Sequence, residues 1–307
     1  MLIFVSFILS CLIIIIAQKY FLRNNYIDKI NNRSSHSSIA TRSGGFSIFL
    51  TLFLISVYFY LTGFEIYQFS LLVPLSITMI IGLYDDINGV DFKLKFIFQI
   101  ITAKIIIDNG LVIDNLHGIL GIYELNRIIA QMITIFFIVA IINSINFIDG
   151  IDGLAISIII LFLSLFEIFS ATQSDFFYLS IITISSLVPL YYFNFSKKKK
   201  VFLGDSGSLF LGTLVSVYVI YILSNNYVIK PKFDLHKILF VISILFYPII
   251  DIIRVFFLRV SKGKSPFIAD KNHIHHLIIN KIQSHWKSTF LIILISFLFL
   301  IFIQLIF

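Results

Sequence analysis

Long apolar runs separated by short polar breaks dominate the chain from its first residues. Read against those breaks, the runs predict helices near 2–21, 44–62, 68–84, 93–107, 125–145, 153–172, 176–193, 206–224, 236–259 and 288–306. A helix needs about 20 apolar residues to cross the ~30 Å of bilayer hydrocarbon, where lipid offers no partner to a bare backbone amide. The expectation is an all-α, polytopic integral membrane protein of about ten transmembrane helices, forming one domain over 1–307. Two segments break this rhythm. Residues 108–124, DNGLVIDNLHGILGIYE, alternate enough to predict a small hairpin or surface loop. In DKNHIHHLIINKIQSHW, residues 270–286, the positions Ile274, Leu277, Ile278 and Ile282 recur at helical spacing, predicting a short amphipathic surface helix.

Composition agrees with the pattern. The chain is 59% hydrophobic and 13% charged, with a mean hydropathy of +1.00, whereas about a quarter of the residues of a soluble domain are charged. The run from Met1 to Ala17 has no basic residue before it and no small-residue cleavage site after it, so it reads as an anchor rather than a removable signal. Cys11 is the single cysteine, which excludes a disulfide or a thiolate metal site within one chain. The net charge of +7 is scattered between apolar runs, which points to membrane topology and away from nucleic acid. Ten spans would alternate sides, and the segments following spans one, three, five, seven and nine carry 18 of the 23 basic residues. By the positive-inside bias that face is cytoplasmic, with both termini outside.

The chemistry-bearing residues gather in the polar breaks of the same face. GLYDDINGV places Asp85 and Asp86 where a span should leave the bilayer; neighbours on a helix point about 100° apart, so one carboxylate can face a substrate while the other holds a cation or a lysine. Either could act as general base, and a polar helix end is the plain alternative. NSINFIDGIDGLA sets Asn143, Asn146, Asp149 and Asp152 three residues apart, along one face if helical, with Gly150 and Gly153 permitting a break. In FLGDSGSLFLG, Asp205 opens a helix beside flanking glycines, where it is either an N-cap or a hard-oxygen ligand suited to magnesium. His273, His275 and His276 cluster without a nearby cysteine, which favours holding a diphosphate over binding zinc. Lys197, Lys198, Lys199 and Lys200 read as a topogenic anchor facing anionic lipid, and Arg254 and Arg259 as helix-end arginines that either snorkel to the interface or hold phosphate.

The ordered set NRSSHSSIATRSGG, GLYDDINGV, NSINFIDGIDGLA, FNF followed by FLGDSGSLFLG, and RVFFLRVSKGKSPFIADKNHIHHL resembles the polyprenyl-phosphate N-acetylhexosamine-1-phosphate transferases, over about residues 23–280. The GKSPFIAD and HIHH segments are similar to the branch using simple UDP-N-acetylhexosamines, such as the undecaprenyl-phosphate N-acetylglucosamine-1-phosphate transferases that start O-antigen, teichoic-acid or related glycans. The phospho-N-acetylmuramoyl-pentapeptide branch is the alternative, and a transporter a remoter one. The first loop departs from the pattern in lacking prolines and one glycine, and an extra basic run precedes FLGDSG.

The resemblance implies a single multi-pass transferase domain in the bacterial plasma membrane. It implies that Asp85 and Asp86 serve the phosphate of undecaprenyl or another polyprenyl phosphate, one of them deprotonating it. Asp205 would bind Mg2+ with Asn146 as a second oxygen ligand, manganese being an open substitute. Asn143, Asp149, Asp152 and Asn194 would hold the UDP-N-acetylhexosamine, and His273, His275 and His276 its diphosphate. A homodimer is left open.

Overall fold

Residues 1–28, 39–224, 227–231, 236–263 and 272–306 are described by the computed structural model. The basic residues Lys29, Arg33, Lys232, Lys264 and Lys271, and the expectations attached to 33–38 and 265–271, lie outside them. Every apolar run predicted above is helical in whole or in large part. The helices are α1 (Leu2–Arg23), α2 (Gly44–Leu61), α3 (Leu72–Asn88, led in by a 3-10 turn at Phe69–Leu71), α4 (Phe92–Asp108), α5 (Arg127–Ile148) and α6 (Leu154–Phe169). They continue as α7 (Phe177–Phe195), α8 (Gly204–Leu223), α9 (Lys237–Ile244), α10 (Phe246–Ser261), α11 (Ile274–Ile282) and α12 (His285–Ile306).

The count of spans is lower than the apolar pattern predicts. Among the described residues, seven helices can cross a membrane by length and composition, α1, α2, α3 with its lead-in, α5, α7, α8 and α12, or eight if α9 and α10 count as one broken span. The ninth predicted span is bent by 80° between α9 and α10. Its cause is local: Pro248 has no N–H to give the carbonyl of Ile244, where α9 ends. The sixth run is cut to an apolar helix of 16 residues, and the fourth holds Lys93, Lys95, Lys104 and Asp108 within 17. A multi-pass helical membrane protein is the architecture that results.

The bundle is organised around α8, which is buried along its whole candidate span. In lipid, helices associate through close van der Waals approach, so small residues mark the tightest crossings. A Cβ added to Gly45 of α2 would lie 2.0 Å from the Gly207 nitrogen of α8. One added to Gly82 of α3 would lie 2.4 Å from the Asp205 carbonyl oxygen, and one on Gly212 would lie 2.8 Å from Ile142 Cα of α5. Serines and threonines on these faces return their hydroxyls to their own helices: Ser47 donates to the Ser43 carbonyl, Thr51 to Ser47 and Thr213 to Leu209.

The C-terminal ends of α1, α3, α5 and α7 and the N-terminal ends of α2, α4, α6, α8 and α12 meet at one end of the bundle. A small three-stranded sheet ties that end together, β1 (Ile27–Asp28) pairing antiparallel with β2 (Ala40–Thr41), and β2 parallel with β3 (Lys200–Val201). From it the Gly44 and Gly45 amides donate to the carbonyls of Phe202 and Leu203 at 3.0 and 2.8 Å, docking the start of α2 on the approach to α8. At the opposite end, 108–124 forms the expected small hairpin-like loop, closed by the Leu116 amide on the Tyr123 carbonyl at 2.9 Å.

Candidate active site

The site is built where α3 delivers its last turn to the first turn of α8. Gly204 adopts a positive φ of 74°, a backbone state glycine reaches without cost, and turns the chain into α8. The freed amides of Asp205 and Ser206 both donate to Asp86, at 2.9 Å to each carboxylate oxygen. Asp86 therefore caps a neighbouring helix, placing negative charge at the positive end of its dipole. Asp85 faces elsewhere: Oδ1 accepts the Val90 amide at 2.6 Å, and Oδ2 lies 2.7 Å from Lys95 Nζ. Lys95, near the start of α4, reaches the Asp205 carboxylate as well, so one ammonium bridges acids from two helices.

Arg42 completes this group from the β2–α2 connection, ion-paired with Asp28 at 2.7 Å and 3.9 Å from Asp86. Burial by itself would lower its affinity for protons, yet Asp28, Asp86 and Asp205 together hold it above the ordinary guanidinium range. Asp149, at the end of α5, is the carboxyl most crowded by like charge. Burial first, then the proximity of Asp205, Asp86 and Asp152, pushes it well above the usual carboxylate range, with Arg42 acting the other way.

The remaining expected residues separate by environment. Asn143 exchanges amide contacts with Gln99 of α4, donating at 2.7 Å, and also donates to its own helix at the Val139 carbonyl. Asn146 donates to Ser208 Oγ at 2.7 Å, one helical turn beyond Asp205 on α8. Asn194 is buried and fully engaged, accepting the Gly153 amide at 2.6 Å and donating to the Val201 carbonyl at 2.9 Å. Asp152 is buried too; its carboxylate meets Lys200 at 2.5 Å, its amide donates to His285 Nδ1 at 3.0 Å, and its carbonyl accepts from Thr289 at 2.8 Å. Lys200 is thereby corrected: it is a buried member of β3 paired with Asp152, unlike the exposed Lys197, Lys198 and Lys199. These contacts hold the 149–153 loop between α7, β3 and α12.

The histidines pack on that loop. A Cβ on Gly150 would lie 2.3 Å from His275 Nε2 and 3.2 Å from His276 Cε1, so only glycine admits the segment so close to Asp149. His275 is fully buried, its Nδ1 3.0 Å from the Tyr247 hydroxyl and its Nε2 without a hydrogen-bond partner. Burial, with His276 and His273 nearby, depresses its pKa to about 3, so it is neutral at physiological pH. His273 is buried between Asp251 of α10, Arg259 and Phe147. His276 keeps part of its surface open. Acids and imidazoles from residues 85 to 276 thus converge at one end of the bundle.

The family profile described as glycosyl transferase family 4 matches residues 68–223, the stretch that carries both aspartate pairs and Asp205. A protein of Haemophilus influenzae, named an undecaprenyl-phosphate alpha-N-acetylglucosaminyl 1-phosphate transferase, is 31% identical over 309 residues, covering 96% of this chain and 83% of the relative. The chain belongs to glycosyl transferase family 4. A Bacillus subtilis protein named a probable undecaprenyl-phosphate N-acetylglucosaminyl 1-phosphate transferase is 30% identical over 96% of this chain and 82% of its own length. A Mycobacterium leprae decaprenyl-phosphate N-acetylglucosaminephosphotransferase is 30% identical over 85% of this chain and 72% of its own.

Within this family 4 chain, sequence reasoning passed over Lys95, Arg42 and Asp251 as site groups. Lys95 and Asp251 did carry a signal, since an ionisable residue inside an apolar helix is costly there and points to function. Arg42 carried none beyond its place next to a glycine pair.

Proposed function

We propose that the protein transfers N-acetylglucosamine 1-phosphate, or a closely related N-acetylhexosamine 1-phosphate, from its UDP-sugar to undecaprenyl or another polyprenyl phosphate. An oxygen of the lipid phosphate attacks the phosphorus that bears the sugar; the bond from that phosphorus to the bridging oxygen breaks, UMP leaves, and a polyprenyl diphosphate sugar stays in the membrane. The names of the relatives favour a simple UDP-N-acetylglucosamine over a muramoyl-pentapeptide donor. The observation that carries the reading is the Asp85–Lys95–Asp205 bridge beside Asp86 and Asp149, at the end of the bundle where the histidine segment also docks. A lipid acceptor requires such a group at the membrane edge. The excess of basic residues on the segments that meet there supports a cytoplasmic site in a bacterial plasma membrane.

Phosphoryl transfer is mostly positioning and neutralisation of charge. Asp86 has both oxygens committed to α8 amides, so it sets the position of Asp205. Asp85 is the less enclosed of the two, and we assign it to the acceptor phosphate, with Lys95 held beside it. Asp149 and His276 flank the place assigned to the donor diphosphate. The donor set also fits magnesium: Asp205 supplies a hard carboxylate, Asn146 keeps its carbonyl oxygen one turn away while its amide is spent on Ser208, and crowded acids gain from a cation. Among the described residues no three acidic, histidine or cysteine side chains form a cage by themselves, which suits an ion that keeps waters and substrate phosphates. Bound there, Mg2+ would neutralise charge on the diphosphate.

The test is release of UMP by detergent-purified protein supplied with UDP-N-acetylglucosamine and undecaprenyl phosphate. Release is expected to require added magnesium, to stop with EDTA, and to be abolished in Asp205→Asn. Activity of Asp205→Asn equal to wild type would overturn the assignment.

A further inference from the structure

The three histidines at the start of α11 do different things, and one carboxylate behind them decides their arrangement. Asp251 of α10 is 1% exposed, flanked in the chain by Ile249, Ile250, Ile252 and Ile253. Its Oδ2 lies 2.6 Å from His273 Nδ1, and its Oδ1 accepts the Ile274 amide at 2.7 Å, capping α11. An ionised carboxylate only accepts hydrogen bonds, so His273 Nδ1 carries the proton. On the other side of the ring, Nε2 stands 3.4 Å from Arg259 Nη2, and a guanidinium only donates, so Nε2 is the acceptor. The network therefore fixes the ring of His273, with Nδ1 donating to Asp251 and Nε2 turned to Arg259. Phe147 of α5 packs on both, 5.5 Å from the His273 ring and 5.9 Å from the Arg259 guanidinium, with His275 stacked on His273 at 5.5 Å. His276, the partly open member, sits against Gly150, next to Asp149.

We propose that Asp251 is a positioning residue for the sugar-nucleotide half of the reaction: by fixing His273 and the first turn of α11, it aims His276 at the diphosphate side of the 149–153 loop. The proposal rests on the donor site assigned above. It predicts a division between the two substrates, because Asp251 lies behind the histidines while the acceptor groups Asp85 and Lys95 belong to α3 and α4.

Asp251→Asn separates positioning from bulk. Asparagine keeps an oxygen for the Ile274 amide but turns an N–H toward His273 Nδ1. The ring must then protonate Nε2, setting N–H against N–H at Arg259. UDP binding measured by calorimetry, with magnesium chloride present, is expected to weaken by about tenfold, the low end of the loss seen when a metal-ligating histidine loses its outer partner. The KM for the UDP-sugar should rise in step, while kcat, the KM for polyprenyl phosphate and the melting midpoint stay close to wild type. Adding His273→Asn to Asp251→Asn should weaken UDP binding no further, because the carboxylate acts through that ring. Unchanged UDP affinity in Asp251→Asn, a joint rise of both KM values with a lowered midpoint, or additive losses in the double variant would each overturn the proposal. Wild type that binds UDP without turning over any UDP-N-acetylhexosamine would refute the proposed function alone, and the UDP comparison would still decide the role of Asp251. Wild type that fails to bind UDP would overturn the proposal.

Discussion

At the scale of single residues, the decisive feature is that Asp85, Asp86 and Asp205 are each held by a named counter-charge or amide. Lys95 bridges Asp85 and Asp205 and lets two acids that would otherwise repel sit side by side. Replacing it by methionine keeps the length and removes the charge, so UMP release should fall by about 100-fold or more, and Lys95→Arg should retain part of it. Equal rates in wild type and Lys95→Met would remove the bridge from the mechanism. His275 makes a second prediction, through stability. Its folded pKa is about 3 against an ordinary value of 6.5. Above about pH 6.5 it is neutral in folded and unfolded chains alike. As pH falls from there toward 3, the unfolded chain binds a proton that the folded chain refuses, and stability drops by about 1.4 kcal/mol per pH unit from this group. Melting midpoints recorded across pH should show that acid limb, and His275→Asn should flatten it.

At the scale of elements, glycines let α8 serve as the hub. Gly45 meets the Gly207 backbone, and backbone atoms have no rotamer with which to yield. Gly45→Ala must push α2 away from α8, at a cost of about 3 kcal/mol or more. It should lower the melting midpoint in detergent by several degrees and reduce turnover, since the same end of α8 carries Asp205. A midpoint equal to wild type would mean that the crossing is looser than described. The break between α9 and α10 works in the opposite sense. By turning the chain through 80° after Ile244, it lays Asp251 and Arg259 beside the histidines and leaves Ile253, Phe256 and Phe257 exposed.

At the scale of the molecule, the proposed sidedness can be read directly. In a Cys11→Ser background, a cysteine at exposed Lys198 and another at Lys230 lie at opposite ends of the bundle. A membrane-impermeant maleimide applied to intact cells should label Lys230→Cys and spare Lys198→Cys until the membrane is opened. The reverse pattern would put the acid cluster outside, away from any cytoplasmic sugar nucleotide.

Much of this was legible without coordinates because lipid enforces it. Apolar runs must be helical where backbone groups have no water, so the positions of the helices and the short α11 followed from hydrophobic spacing. The clustering of polar breaks on one face likewise drew Asp85, Asp86, Asp149, Asp205 and the histidines into one candidate site. Hydropathy registers neither a bend nor a partner. The broken α9–α10 pair, the burial of Lys200 against Asp152 and the anchoring of His273 by Asp251 depend on residues far apart in the chain meeting across helices. Which carboxylate caps a helix, which pairs with lysine and which histidine stays open are contests between desolvation and available partners, and only the packed bundle supplies those partners.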